Sequence, residues 1–243
     1  MDGGQGIVIQ IFALILAVCF HEAAHGWVAW RNGDPTAKLA GRITLNPIPH
    51  IDLFGTILFP AILMITHAPI LIGWAKPVPV NPRNFTNPKR GFAQVSIAGP
   101  GSNMLLAVIA AIALKIWTTL DPGLHDFLYN YLLGDGGLRG VSVALPLALF
   151  LLQSVYINVV LGVFNLFPIP PLDGSNIVLG LLPPSRLPAY FKYMRFAPMV
   201  LLGMLLAEWA LKIPVFSFVF DPIFNPYFNF WQYVVFGRKV MGL

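Results

Sequence analysis

Charge is scarce in this chain. Only 10% of its 243 residues are Asp, Glu, Lys or Arg, against about 25% in ordinary globular domains, too few to build a fully solvated surface. Glutamate is scarcer still, with Glu22 and Glu208 the only two. Cysteine occurs once, at Cys19, which excludes an intrachain disulfide; in its apolar stretch the side chain is expected to pack. No Lys or Arg precedes Arg31 and no cleavage pattern ends the first apolar run, so that run reads as a mature helix rather than a signal peptide. Internal repeats, low-complexity segments and an appended soluble domain are also missing.

What the chain has instead is hydrophobicity, 57% of all residues. Six stretches approach the roughly 20 apolar residues that an α-helix needs to cross a bilayer. They are residues 7–30, 53–75, 92–117, 141–167, 196–211 and, less clearly, 215–236. The expectation is one membrane-embedded domain over 1–243, all-α and polytopic, with a motif-bearing core at 7–182 and further membrane segments at 183–243. A net charge of +5 and a pI near 9.5 do not call for nucleic acid in such a protein, because Lys and Arg beside membrane helices set orientation first.

Basic residues cluster in 31–51 and in 76–90. Full spanning by every segment would put these two loops on opposite faces, against the positive-inside tendency. If residues 53–75, interrupted by Pro60 and Pro69, form a re-entrant hairpin, twelve of the fifteen Lys and Arg residues face the cytoplasm. The expected fold therefore has five or six membrane segments including that hairpin, with residues 42–45 and 76–80 meeting as short strands on the cytoplasmic rim. Pro168, Pro170 and Pro171 break the fourth segment just before Asp173, and broken helices in membranes tend to line cavities.

The chemistry gathers at His21-Glu22-Ala23-Ala24-His25. Histidines four apart share one helix face, the spacing needed for both imidazoles to ligate one Zn²⁺. Glu22 beside them suits a general base. With so few Glu and His residues, chance placement of this pattern has a probability of roughly one in a thousand, and ionisable groups inside an apolar helix usually mark function. The plainer reading is a pair of hydrogen-bonded packing histidines.

A catalytic zinc site needs a third protein ligand. No glutamate lies between Glu22 and Glu208, and Val28 and Arg31 stand where the extended soluble-protease motif needs glycine and histidine. That leaves a distant Asp or His. Asp173, at a helix break in apolar sequence, is the best candidate; its plainer role is to cap the resumed helix. Asp34, Asp121, Asp126 and Asp135 sit among turn formers, where solvated or turn-forming roles are expected. His50 and Asp52 could approach from the rim, His67 lies near the hairpin tip and His125 in an outer loop. Asn103, Asn158 and Asn165 could line a water route, with interhelical packing an equal reading for the first two. Gly99 and Gly101 read as sites of close helix approach.

Four motifs in order now stand out: His21 to His25; Gly73-Trp74-Ala75-Lys76-Pro77-Val78; Ala98-Gly99-Pro100-Gly101-Ser102-Asn103; and Asn165-Leu166-Phe167-Pro168-Ile169-Pro170-Pro171-Leu172-Asp173-Gly174. Together they resemble the site-2 protease family of intramembrane zinc metalloproteases (peptidase family M50), in a short form without PDZ or CBS domains. The resemblance covers about residues 10–182. It implies a zinc metalloendopeptidase that cuts transmembrane or membrane-proximal protein segments, with one Zn²⁺ per chain on His21, His25 and Asp173. It also implies Glu22 as general base and Asn165 holding substrate or oxyanion. The family often has an arginine shortly after the Asp-Gly pair, where this chain has Ser175 and Asn176. The expected partners are a transmembrane protein substrate and the lipid bilayer, with no nucleic acid. The expected place is a prokaryotic cell membrane, as a multi-pass protein whose site lies towards the cytoplasm. A metal transporter or a non-catalytic membrane chaperone could use the same residues. The sequence sets no oligomeric state.

Overall fold

A computed structural model describes residues 3–66, 73–133 and 144–237. The elements are helical. The first long apolar run becomes α1 (Gly3–Arg31), followed by the short α2 (Thr36–Leu39). A π-helical turn at Leu53–Leu58, capped by Asp52, leads into α3 (Phe59–Ile65). Then come α4 (Pro88–Leu120), α5 (Pro122–Leu132), α6 (Ala144–Asn165) and α7 (Asp173–Leu181). The chain continues through α8 (Leu187–Leu211) and α9 (Val215–Phe236). Proline at the first turn starts α4 and α5, where its missing N–H costs nothing, and Asp121 caps α5 by accepting from Leu124 N.

Among the described residues, three helices are long and apolar enough to cross a membrane: Gly6–Arg31, Pro88–Leu120 and Leu145–Asn165. The expected five or six membrane segments and the re-entrant hairpin are not supported among the described residues. The π-helical turn and α3 together run only from Leu53 to Ile65, about 20 Å at 1.5 Å per residue, short of a crossing. His67 and Pro69 lie outside the described residues. In the C-terminal part, α8 carries Lys192 and Arg195 in its first half, and α9 carries Asp221 beside Pro222 with Pro226 one turn on.

The expected strands are also corrected: no strand occurs among the described residues. Residues 76–80 are non-helical, but Pro77 and Pro79 remove donors that a β-ladder would need. The partner segment reaches them by a side chain instead, with Arg42 Nη2 donating to Lys76 O at 2.5 Å.

The chain divides into two compact units. One comprises Met1–Ala17, Asn103–Gly162 and Phe220–Leu243; the other comprises Val18–Ser102 and Val163–Val219. In the first, Ala13, Ala17 and Ile157 form a small buried core flanked by Phe150 and Leu161. Asn103, fully buried, donates to Ala17 O at 3.2 Å and to Asn158 Oδ1 at 2.8 Å, and Asn158 donates to Ser154 O at 2.9 Å. These two asparagines are interhelical ties, which selects the packing reading over a water route. Tyr156 and Phe228 stack at 4.8 Å in the same unit.

The second unit holds a core of Ala29, Phe85 and Val95, with Val28, Val80 and Phe92 packed against it. Asp34 is its unexpected member. It is 0% exposed and accepts from Thr36 N and Oγ1, Asn81 N and Asn84 Nδ2. Burial pushes the Asp34 pKa up, but the hydrogen bonds from Thr36, Asn81 and Asn84 more than offset this and hold the carboxyl below its ordinary value. The local Thr36 bonds are the turn that its sequence suggests; the reach to residues 81 and 84 is not, and it pins the end of α1 to the segment that follows residues 76–80.

Candidate metal centre

The second half of α1 carries His21, Glu22 and His25 into the second unit. Both histidines are 8% exposed, with ring centroids 4.6 Å apart and planes nearly perpendicular. The His25 Nδ1 atom lies 2.7 Å from the Val95 carbonyl on α4. Donation to that carbonyl puts the proton on Nδ1 and leaves the Nε2 lone pair turned away from it, as metal-ligating histidines require. His21 Nε2 and His25 Nε2 stand 3.1 Å and 3.3 Å from the same atom, Asp173 Oδ2.

Asp173 reaches this place through the chain break. After α6, bonds from Leu166 N to Val163 O and from Phe167 N to Phe164 O close the helix, and the prolines, with a cis bond between Pro170 and Pro171, lead to α7. Leu172 is the N-cap of α7 and no side chain caps it, so Asp173 does not serve there as a cap. Gly174 presses so close to the Leu166 and Phe167 carbonyls that a Cβ would collide with them; glycine after the aspartate is what lets α7 begin there.

Two tyrosines of α8, a segment that carries no recognisable motif, hold this loop. Tyr190 OH donates to Ser175 O and Tyr193 OH to Pro168 O, each at 2.8 Å. Lys89 at the start of α4 donates to the Leu182 carbonyl at the far end of α7.

His21, His25 and Asp173 offer ligand atoms that all lie within 4.8 Å of one another. The arrangement suits a cation. Asp173 Oδ2 is buried without a well-aligned hydrogen bond, although two imidazole nitrogens approach it; a cation held among the three groups would account for both. At zinc–ligand lengths of about 2.0–2.1 Å, tetrahedral ligands stand about 3.3 Å apart, close to the two observed separations. Glu22 stands next to this cluster in sequence, half-buried, its Oε2 accepting from Val78 N at 3.0 Å. Asn165 ends α6, half-buried, eight residues before Asp173, and is not one of the three clustered donors.

The other candidates lie elsewhere. His50 Nε2 pairs with Thr44 O at 2.9 Å, Asp52 accepts from Gly55 N at 2.6 Å, and His125 pairs with Asp126 in the other unit.

Gly99 is a residue whose part in the site exceeds what the sequence suggests. A Cβ there would overlap both His21 Nε2 and His25 Nε2, whereas one at Gly101 meets nothing within 4 Å. The backbone of α4 therefore forms the wall behind the imidazoles, and only the first glycine is needed for contact. Gly99→Ala is expected to displace the rings at an overpacking cost of about 1–3 kcal/mol and to weaken metal binding, while Gly101→Ala keeps it. Metal titration of the two purified variants checks this, and equal affinities would contradict it.

Two imidazoles and a carboxylate at metal-ligand spacing, with a glutamate next to the first imidazole in sequence, make a candidate metal centre. The chain belongs to peptidase family M50, whose model matches residues 9–207. Over 178 residues it is 41% identical to the "Putative zinc metalloprotease YwhC" of Bacillus subtilis, covering 72% of this chain and 69% of that protein. Over 203 residues it is 29% identical to the "Putative zinc metalloprotease Rip2" of Mycobacterium tuberculosis, covering 83% of this chain and 68% of the relative. A protein of the same name from Mycolicibacterium smegmatis is 27% identical over 171 residues, 70% of this chain and 56% of its own length. No solved structure matches the chain significantly.

Proposed function

We propose that this protein is an intramembrane zinc metalloendopeptidase that hydrolyses peptide bonds in transmembrane or membrane-proximal segments of other proteins. The observation that carries the reading is the convergence of His21 Nε2 and His25 Nε2 on Asp173 Oδ2 beside Glu22. In this reading His21, His25 and Asp173 hold one Zn²⁺ per chain. The chemistry that zinc supplies when bound is Lewis-acid polarisation of a carbonyl and acidification of water.

The chain's own residues do the rest. Glu22, next to His21 in sequence and outside the set of three clustered donors, takes a proton from water as general base and hands it to the departing amide nitrogen. The Val95 carbonyl orients the His25 ring, and Gly99 keeps the wall behind both rings flat. Asn165 is assigned to the substrate or the developing oxyanion, a role in which an amide N–H donates to negative charge. The apolar helices around the site limit water and strengthen these interactions. The basic residues at 31–51 and 76–90 support a site opening towards the cytoplasm of a prokaryotic cell membrane.

A substrate helix hides its peptide bonds in its own hydrogen bonds, so local unwinding must precede attack. The test is to co-express the protein with tagged single-span membrane proteins and to measure zinc in the purified enzyme. Fragments that appear only with zinc-loaded enzyme and vanish with a chelator support the reading. A protein that binds no stoichiometric zinc and cuts none of the candidates removes it.

A further inference from the structure

We propose that the backbone amide of Val78 positions the catalytic carboxylate of Glu22, an inference that rests on the protease reading above. The amide donates to Glu22 Oε2 at 3.0 Å across 56 residues of sequence. A carboxylate held through one oxygen has its rotamer fixed and keeps the other oxygen for the proton. The donor is also singled out by its neighbours: Pro77 and Pro79 have no N–H, so Val78 is the sole donor of the three residues, and the proline rings fix φ on both sides.

The segment is anchored before and after this bond. Lys76 N donates to His50 O at 2.9 Å and Lys76 O accepts from Arg42 Nη2 at 2.5 Å. Beyond it, Asn81 N and Asn84 Nδ2 each donate to the buried Asp34 at 2.7 Å. The Val78 side chain lies over Gly26, one helical turn from Glu22. A segment already tied at both ends needs no third anchor on an acidic side chain to stay in place. The third anchor acts on the carboxylate: the prolines present a single rigid donor, and Glu22 receives it. Val78 is thus a positioning residue that works through Glu22 by its main chain, so its side chain can change while its N–H cannot.

Val78→Pro removes the N–H and keeps an extended backbone; Val78→Ala keeps the N–H. Val78→Pro should retain stoichiometric zinc and lose about 10- to 100-fold in kcat, the worth of one hydrogen bond to a charged group, with KM little changed. Val78→Ala should stay within about threefold of wild type in kcat. In a Glu22→Asp background, where the shortened side chain no longer meets the amide, Val78→Pro should cost little more. Hydrogen exchange covers the case in which Val78→Pro does not fold: a fragment spanning Pro77–Val80 reports only the Val78 and Val80 amides, and in Glu22→Ala its exchange should quicken while that of Lys76 and Asn81 does not.

Wild-type kcat in zinc-loaded Val78→Pro overturns the inference. So does an equal loss in Val78→Ala, an undiminished loss in the Glu22→Asp background, or unchanged exchange in Glu22→Ala. In each case zinc-dependent cleavage by wild type leaves the protease reading standing. A wild type without zinc or cleavage removes that reading and this inference with it.

Discussion

Glu22→Gln should keep its zinc and lose peptide hydrolysis, with kcat reduced about 10²- to 10⁴-fold, the usual contribution of a general base. Glutamine has nearly the same shape, and its amide oxygen still accepts from the Val78 amide 3.0 Å from Glu22 Oε2, so the segment at 76–80 should stay in place. What disappears is the ability to accept a proton from water and return it to the leaving nitrogen. Zinc content by elemental analysis, thermal stability and single-turnover cleavage of a tagged membrane protein make the measurement. A Glu22→Gln protein that cleaves at the wild-type rate would show that another group is the base. One that loses zinc together with activity would show that Glu22 shapes the metal site itself.

Asp173→Asn is the second large effect, and it should appear in metal content before it appears in rate. Asp173 Oδ2 is the atom on which both imidazoles converge, at 3.1 Å and 3.3 Å. An amide oxygen there carries no charge to offset a divalent cation in an apolar, weakly screening environment. Changes to groups that merely support metal ligands cost about 10- to 100-fold in affinity, and a direct ligand should cost more than about 100-fold by the same scale. Asp126→Asn, on an exposed carboxylate in the other unit, should leave affinity unchanged. Competition with a chelator of known strength gives the comparison. Full metal content in Asp173→Asn would remove Asp173 from the ligand set and send the search to another donor.

Both substitutions concern residues that stand out in the amino-acid sequence, and the reason is physical. An ionisable group in an apolar helix is so costly that its presence is information. His21, Glu22, His25 and Asp173 share that property, and the helical period places the first three on or near one face. The long apolar helices α1, α4 and α6 are equally visible, because length and hydropathy suffice.

The features that escape are those made by backbone groups meeting across long sequence gaps. Asp34 sits among turn formers and reads as a turn residue, yet it anchors backbone and side chain 47 and 50 residues away. Val78 reads as part of a short paired strand on the rim, and its N–H instead meets a carboxylate. The expectation of strands at 42–45 and 76–80 fails for the related reason that prolines spaced two apart suit an extended segment while removing the donors that pairing requires. Gly99 and Gly101 look alike in the sequence; only the position of the imidazoles separates them.

The grip of Tyr190 and Tyr193 on the Asp173 loop bears on where a working unit can be cut. Every motif of the site lies before residue 182, so a fragment ending there would look intact on paper. It would lack both phenolic hydroxyls, leaving the Ser175 and Pro168 carbonyls without them, and the turn that carries Asp173 would be free to drift. For anyone trimming this chain to a minimal enzyme, the useful boundary is the tyrosine pair of α8.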